Sequence, residues 1–195
     1  MNAPASTAQV SQMQRAARQA EVVSALQKTV PAHALLWQAE DTVPYECDGL
    51  TAYRERPLVV VLPETEDQVA AVLKACHALQ VPVVARGAGT GLSGGAMPNA
   101  MGVTLSLAKF NRIIRIDPRS RTAVVQAGVR NLAISEAAAP HGLYYAPDPS
   151  SQIACTIGGN VAENSGGVHC LKYGLTVHNV LQVRGFTVEG EPVTF

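Results

Sequence analysis

Charge is scarce in this chain, and it is not clustered. Charged residues make up 15% of the 195 residues, fifteen basic residues balance fifteen acidic ones, and runs of like charge are missing. A chain with no net field and no basic stripe lacks what draws nucleic acid or anionic lipid, so no nucleic-acid partner is expected. Cysteine is sparse as well. Cys47, Cys76, Cys155 and Cys170 are scattered, with no CxxC pair and no clustered histidines. That spacing fits neither a zinc site nor a disulfide scaffold, so no metal is expected, and free thiols in the reducing cytoplasm are. The opening MNAPASTAQVSQMQ lacks the apolar core of a secretory signal. No apolar stretch reaches the roughly 18 residues that cross a bilayer, so the protein is expected to be soluble, with no transmembrane segment. What is plentiful is apolar residues, at 47%, enough to supply a core. With so little charge, one face is expected to be covered by a partner or by further chain.

Residues 1–8 read as frayed. From Gln9 to Thr29, Val10, Met13, Ala17, Ala20, Val23 and Leu26 recur at helical spacing, and Pro31 ends the predicted helix. Residues 32–56 show no period. Leu58 to Leu62 is an unbroken apolar run closed by Pro63, the pattern of a strand buried on both faces. Thr65 followed by Gln68 resembles a capping box that opens a helix with Val69, Val72, Leu73 and Cys76 inward. Val81 to Ala85 is a second short strand, completing a βαβ unit with an expected right-handed crossover. Strands are predicted at 102–107, 112–117 and 121–127, a helix from Asn131 to Ala139, and a hairpin over 180–195. The chain stops inside that hairpin, which leads to the expectation of a fragment.

The segment Arg86-Gly87-Ala88-Gly89-Thr90-Gly91-Leu92-Ser93-Gly94-Gly95 follows the second strand. It contains a formal GxGxxG, yet a dinucleotide-binding Rossmann unit needs a helix starting at the loop. Here Gly95-Ala96-Met97-Pro98-Asn99-Ala100 intervenes before another strand, and Lys109, Phe110 and Asn111 stand where the acidic ribose ligand belongs. No Lys-Ser/Thr pair follows the glycines, so the loop is not a Walker loop either. The glycines keep their physical meaning. Successive glycines reach φ > 0 and turn their N–H groups to one concave side, an anion nest, with Thr90, Ser93 and Arg86 as further donors. A second loop, Asp148 to Asn160, is rich in small and hydroxyl residues. Thr156 is a candidate N-cap, Gly158-Gly159 allow close approach of a ring or phosphate, and Asn164, Gly166 and Gly167 continue the surface. Two such loops suit a long flat ligand with phosphates at its middle, such as a dinucleotide.

Three blocks carry a family resemblance: VPVVARGAGTGLSGGA at 81–96, the stretch from GVRNLAISEAAAPHGLYYAPDPSS to GLTVHNV at 128–180, and PYECDGLTAYR at 44–54. With these, the chain resembles the FAD-binding domain of the vanillyl-alcohol oxidase/PCMH flavoproteins, and among them the large flavoprotein subunits of glycolate oxidases. The resemblance implies an α+β, two-lobed PCMH-type FAD-binding domain, incomplete at its C-terminus. It divides the chain into an N-terminal helix and irregular segment (1–56), a first FAD lobe (57–118) and part of a second (119–195), without the C-terminal cap domain. By position, Arg86, Gly87, Ala88, Gly89, Thr90, Gly91, Leu92, Ser93 and Gly94 would wrap the FAD pyrophosphate. Pro147, Asp148, Ser151, Ile157, Gly158, Gly159 and Asn160 would line the rest, with Gly166, Gly167, Tyr173 and Gly174 close by. Some relatives attach FAD through a histidine at the position of Thr90, so FAD is expected here without a covalent bond. Gly185 departs from the bulkier residues usual in its strand.

The implied activity is FAD-dependent oxidation of a small 2-hydroxy acid to a 2-oxo acid, with electrons passing to other glycolate oxidase subunits, including an iron–sulfur subunit. The substrate-binding and catalytic groups of such proteins lie in the cap domain, so no catalytic residue is expected here. His169 and His178 can be imagined as proton acceptors, but hydrogen-bonded structural roles fit them better. The competing expectation is a non-catalytic FAD-lobe or interaction fragment.

Overall fold

The computed structural model describes residues 7–195, so residues 1–6 of the segment read as frayed lie outside the described part. Helix α1 (Thr7–Leu26) takes in Thr7 and Ala8 and ends three residues before the predicted limit. Its apolar stripe is shorter than the spacing implied: Val22, Val23 and Leu26 are buried, whereas Met13 is exposed. Upstream, the helix docks through polar side chains. The Arg15 guanidinium donates to the carbonyls of Arg56, Pro57 and Ala100, and Gln19 donates to those of Trp37 and Leu58. These carbonyls flank strands and would otherwise lack partners.

A four-stranded sheet forms the centre of the first half. Its strands are β1 (Leu35–Leu36), β2 (Val59–Val61), β3 (Val83–Arg86) and β4 (Val103–Ser106), in the order β1-β2-β4-β3. The short β1, within a segment that shows no sequence period, runs antiparallel to β2, and the short helix α2 (Ala39–Thr42) follows it. β2, β3 and β4 are mutually parallel. The β2–β3 crossover therefore skips a strand position, which β4 fills. This central place explains why all four residues of β4 are buried while β3 is partly open. Burying each valine of β2 contributes ~1.5–3 kcal/mol.

Helix α3 (Glu66–Ala78) makes that crossover. The Thr65 hydroxyl accepts the Gln68 N–H at 3.2 Å, while the Gln68 side chain accepts the Glu64 N–H at 2.7 Å. The reciprocal bond thus lands one residue before the N-cap, and Glu66 and Asp67 complement the helix dipole. Val69, Val72, Leu73 and Cys76 pack inward as the spacing predicts.

The second half begins with the hairpin β5 (Ile113–Asp117) and β6 (Thr122–Val125). Its turn contains the expected 118/119 lobe boundary, so that boundary cuts a paired element. Asp117 Oδ1 accepts the Arg119 and Ser120 N–H groups there. Helix α4 (Asn131–Ala138) runs into a 3-10 turn that Gly142 ends at φ 68°. Two short helices, α5 (Ile157–Glu163) and α6 (Cys170–Tyr173), lead to the last hairpin, β7 (Arg184–Phe186) with β8 (Pro192–Thr194). This hairpin returns to the first half. Lys74 of α3 pairs with Glu191 at 3.1 Å, Arg184 with Glu66 at 3.4 Å, and Phe186 packs against the first core. Gly185 forms part of β7, and a side chain there would meet open space.

Candidate functional site

The glycine loop leaves the C-terminal end of β3 and is braced from below. Arg86 is buried, with Nη1 donating to the carbonyls of Cys47 (2.8 Å) and Ala96 (3.2 Å) and its guanidinium 5.7 Å from the centre of the Tyr45 ring. Expected as a donor towards phosphate, Arg86 is instead folded under the loop, where it ties the residue after the glycines to a neighbouring segment. Gly89 lies directly on the guanidinium at φ 71°, so a Cβ there would overlap Nη2.

Sequence reasoning missed the strap that holds the loop from the side. Asp48, 5% exposed, accepts the Gly94 N–H at 2.9 Å through Oδ2 and the Leu50 N–H at 3.0 Å through Oδ1. The Gly49 N–H donates to the Gly91 carbonyl at 3.0 Å, and a Cβ at Gly49 would sit 2.7 Å from the Thr90 oxygen. An Asp-Gly pair inside an unpatterned polar segment was the available signal. With Gly94 committed to Asp48, the N–H groups of Ala88 to Ser93 have no acceptor among the described residues. Of the loop glycines only Gly89 and Gly94 take positive φ, so the expected run of successive φ > 0 glycines is reduced to two, while these N–H groups remain free donors on the loop.

The second loop meets the first. Backbone bonds from Ile157 N–H to Val129 O and from Gly158 N–H to Ala127 O, both 2.8 Å, dock the start of α5 on the chain after β6. Gly158 is needed for that approach, since a Cβ would lie 2.9 Å from the Ala127 methyl. Thr156 is the N-cap residue, in extended conformation, but its hydroxyl makes no capping bond. The hydroxyl points instead into the space beside Gly87, which a Cβ would overfill. Gly159 passes close to the same hydroxyl, and Glu163 at the other end of α5 reaches Gly91 and Gly95.

Thr156 Oγ1, Asn160 Nδ2 and Asn131 Oδ1 are buried and have no hydrogen-bond partner among the described residues. Such groups, with Thr104 Oγ1 and Tyr145 OH as the other two among the described residues, cost about 1–3 kcal/mol each when left unpaired, a cost that a polar ligand pairing them would recover. Asn131 spends its Nδ2 on the Pro147 carbonyl at 2.9 Å, joining α4 to the PDPSS stretch. Ser151 turns that stretch, its carbonyl accepting the Ala154 and Cys155 N–H groups at 2.8 Å.

A third cluster stands beside the second loop. Asp148 Oδ2 is 2.6 Å from His169 Nδ1, and its Oδ1 takes the His169 N–H at 3.3 Å. The histidine bond holds the Asp148 carboxyl below its usual range. Gly167 packs so tightly on Asp148 that no Cβ fits, and Gly166 packs against Leu175. Tyr173 meets Tyr144 edge-on with ring centres 6.1 Å apart. A hydrogen bond from Tyr144 lowers the Tyr173 phenol and raises its own, with Lys172, 5.0 Å from the centre of the Tyr173 ring, adding to the lowering. Gly174, at φ 79°, lies under the His178 ring, and His178 Nδ1 accepts the Leu175 N–H at 3.1 Å. His169 is thus hydrogen-bonded across to Asp148 of the second loop, and His178 within its own turn. Tyr173 and Gly174 join this cluster, whereas Gly87 and Thr156 join the two loops.

These residues fit a long anionic dinucleotide. The first loop offers free N–H donors on a glycine backbone, and the second offers orphaned polar atoms where the two loops meet. Thr90 has no ring nitrogen, so nothing at that position can form a histidyl bond to a flavin.

Residues 57–195 match a family model described as an FAD binding domain. The chain is 64% identical over 173 residues to the glycolate oxidase subunit GlcD of Escherichia coli strain K12, a match covering 89% of this chain and 35% of that protein. It is 40% identical over 147 residues to GlcD of Bacillus subtilis strain 168, covering 75% and 31% of the two chains. With the D-2-hydroxyglutarate dehydrogenase of Xanthomonas citri pv. viticola it shares 36% over 169 residues, covering 87% and 36%. The chain spans about a third of the length of these relatives. Among solved structures, an alkyldihydroxyacetonephosphate synthase superposes with a TM-score of 0.78 at 21% identity, covering 90% of this chain and 34% of that one. Phl p 4, a grass pollen allergen with glucose dehydrogenase activity, gives 0.78 at 19% identity, covering 89% and 37%. At such identities the likeness is one of fold.

Proposed function

The chain belongs to the PCMH-type FAD binding domain family, and from that premise we propose that it is the cofactor-holding part of an oxidoreductase converting a 2-hydroxy acid to a 2-oxo acid. The observation that carries the reading is the meeting of the two loops at Gly87 and Thr156, with free N–H donors on one side and orphaned buried polar atoms on the other. The names of the relatives, glycolate oxidase and D-2-hydroxyglutarate dehydrogenase, supply the substrate class.

In this reading the N–H groups of Ala88 to Ser93 hold the pyrophosphate, and Arg86 keeps the loop in shape from below. Thr156 and Asn160 donate to the cofactor where the loops meet, while Ile157, Gly158 and Gly159 let it lie close to the backbone. Pro147, Asp148 and Ser151 form the adjoining wall, backed by Gly166, Gly167, Tyr173 and Gly174. When bound there, FAD would supply the electron acceptor that such an oxidation of a 2-hydroxy acid needs. The chain's own part is to bind and orient, without a covalent link at Thr90. The base and the substrate carboxylate's partner belong to the remaining two thirds of such proteins. Electrons then leave to other subunits, an iron–sulfur subunit among them, in the cytoplasm.

The test is purification of the protein and identification of any bound flavin. Flavin absorbance, with FAD released intact on mild denaturation, supports the reading. A colourless protein whose fluorescence and melting temperature ignore added FAD sinks it.

A further inference from the structure

We propose that Glu163 is a brake on the glycine loop, a carboxylate placed against the pyrophosphate cradle so that FAD is held less tightly than the loop's donors alone would hold it. The inference rests on reading that loop as the cradle. Glu163 is the last residue of α5. The first turn of that helix is tied to Val129 and Ala127, and its other end lies beside the loop. Two glycines receive it. A Cβ at Gly91 would lie 2.9 Å from Glu163 Oε1, and one at Gly95 would lie 3.5 Å from it. Gly91 belongs to the run whose N–H groups are free.

The charge around the loop decides the sign of the effect. Arg86 contributes one positive charge beneath the loop, and Asp48 beside it contributes one negative charge. Glu163 adds a second negative charge, and among the described residues no Lys, Arg or His forms an ion pair with it. The donors of the loop attract phosphate at hydrogen-bond range. A carboxylate a few ångströms away repels the same phosphate over a longer range, through exposed surroundings that weaken the repulsion without removing it. Glu163 therefore sets how readily the cofactor leaves, and it acts on the phosphates rather than on the flavin ring.

The experiment compares the intact protein with its E163Q variant after the flavin has been stripped from each. FAD and riboflavin, which carries no phosphate, are the probes, read by flavin fluorescence at low and high salt. Glu163→Gln is expected to tighten FAD binding about three- to tenfold at low salt, chiefly through slower dissociation, and to leave riboflavin binding unchanged. High salt is expected to shrink the difference. An unchanged or weaker FAD affinity in E163Q overturns the inference, the weaker case meaning that the carboxylate accepts a hydrogen bond from the ligand. An equal gain for riboflavin also overturns it. If the wild-type protein takes up no FAD at all, the reading of the loop as a cradle fails, and the brake fails with it.

Discussion

The hydroxyl of Thr156 fills the space that a side chain at residue 87 would need, so the two loops meet glycine to threonine. Gly87→Ala is expected to drive the loops apart and to cost about 1–3 kcal/mol, as overpacking of a close contact does. The relief is specific, because the Thr156 Cβ itself would lie 3.5 Å from the new methyl, an ordinary contact. Adding Thr156→Ala to Gly87→Ala should recover most of the lost melting temperature. FAD binding should stay weak in the double variant, since the orphaned hydroxyl is gone. Chemical denaturation of the two single variants and the double variant measures this coupling. Strictly additive losses would show that the contact does not join the loops.

Much of this was legible in the sequence, for identifiable reasons. The unbroken Leu58 to Leu62 run, the Thr65 cap and the glycines after β3 each carry a local pattern, and each sits where that pattern puts it. The strand order was not legible, because nothing local to β4 says that it inserts between β2 and β3. Arg86 looked like a phosphate donor because charge beside glycines suggests it. Only tertiary placement turns its Nη1 towards Cys47 and Ala96. The role of Asp48 was hidden for the same reason, despite the Asp-Gly pair: its partner Gly94 is 46 residues away.

That distant bond makes the second prediction. Asp48 uses one oxygen for Gly94 and the other for Leu50. Asp48→Asn replaces one acceptor with an NH2 group facing an N–H, which leaves a buried donor unpaired at about 1–3 kcal/mol. A lower melting temperature and faster proteolytic cleavage within residues 87–95 are expected. If D48N melts and digests like the wild type, Asp48 is not the strap.

The cysteines should separate by reactivity. Burial pushes the Cys76 thiol up to about 11, so at neutral pH almost none of it is thiolate, the form that reacts. Cys170 is exposed on α6. Alkylation of the native protein followed by peptide mass spectrometry should label Cys170 early and Cys76 only after unfolding. Rapid labelling of Cys76 would mean that α3 does not stay packed on the sheet.

The contact between Asp148 and His169 gives a pH dependence whose sign follows from the direction of the shift. The imidazole and backbone N–H of His169 hold the Asp148 carboxyl below its usual value, so the folded state prefers the ionised acid. A depressed folded value means that the contact's stabilisation is fully present above the unfolded value, about pH 4. It is lost as pH falls from there through the folded value. Asp148→Asn removes the titrating group, so the wild type should melt higher than D148N above about pH 4, and the gap should close on further acidification. Hydrogen exchange should locate the loss. Since Gly167 and His169 both rest on Asp148, amides at 166–170 should open in acid in the wild type and be open already in D148N. A gap that widens below about pH 4 would reverse the sign and show that the neutral acid is the form the fold prefers.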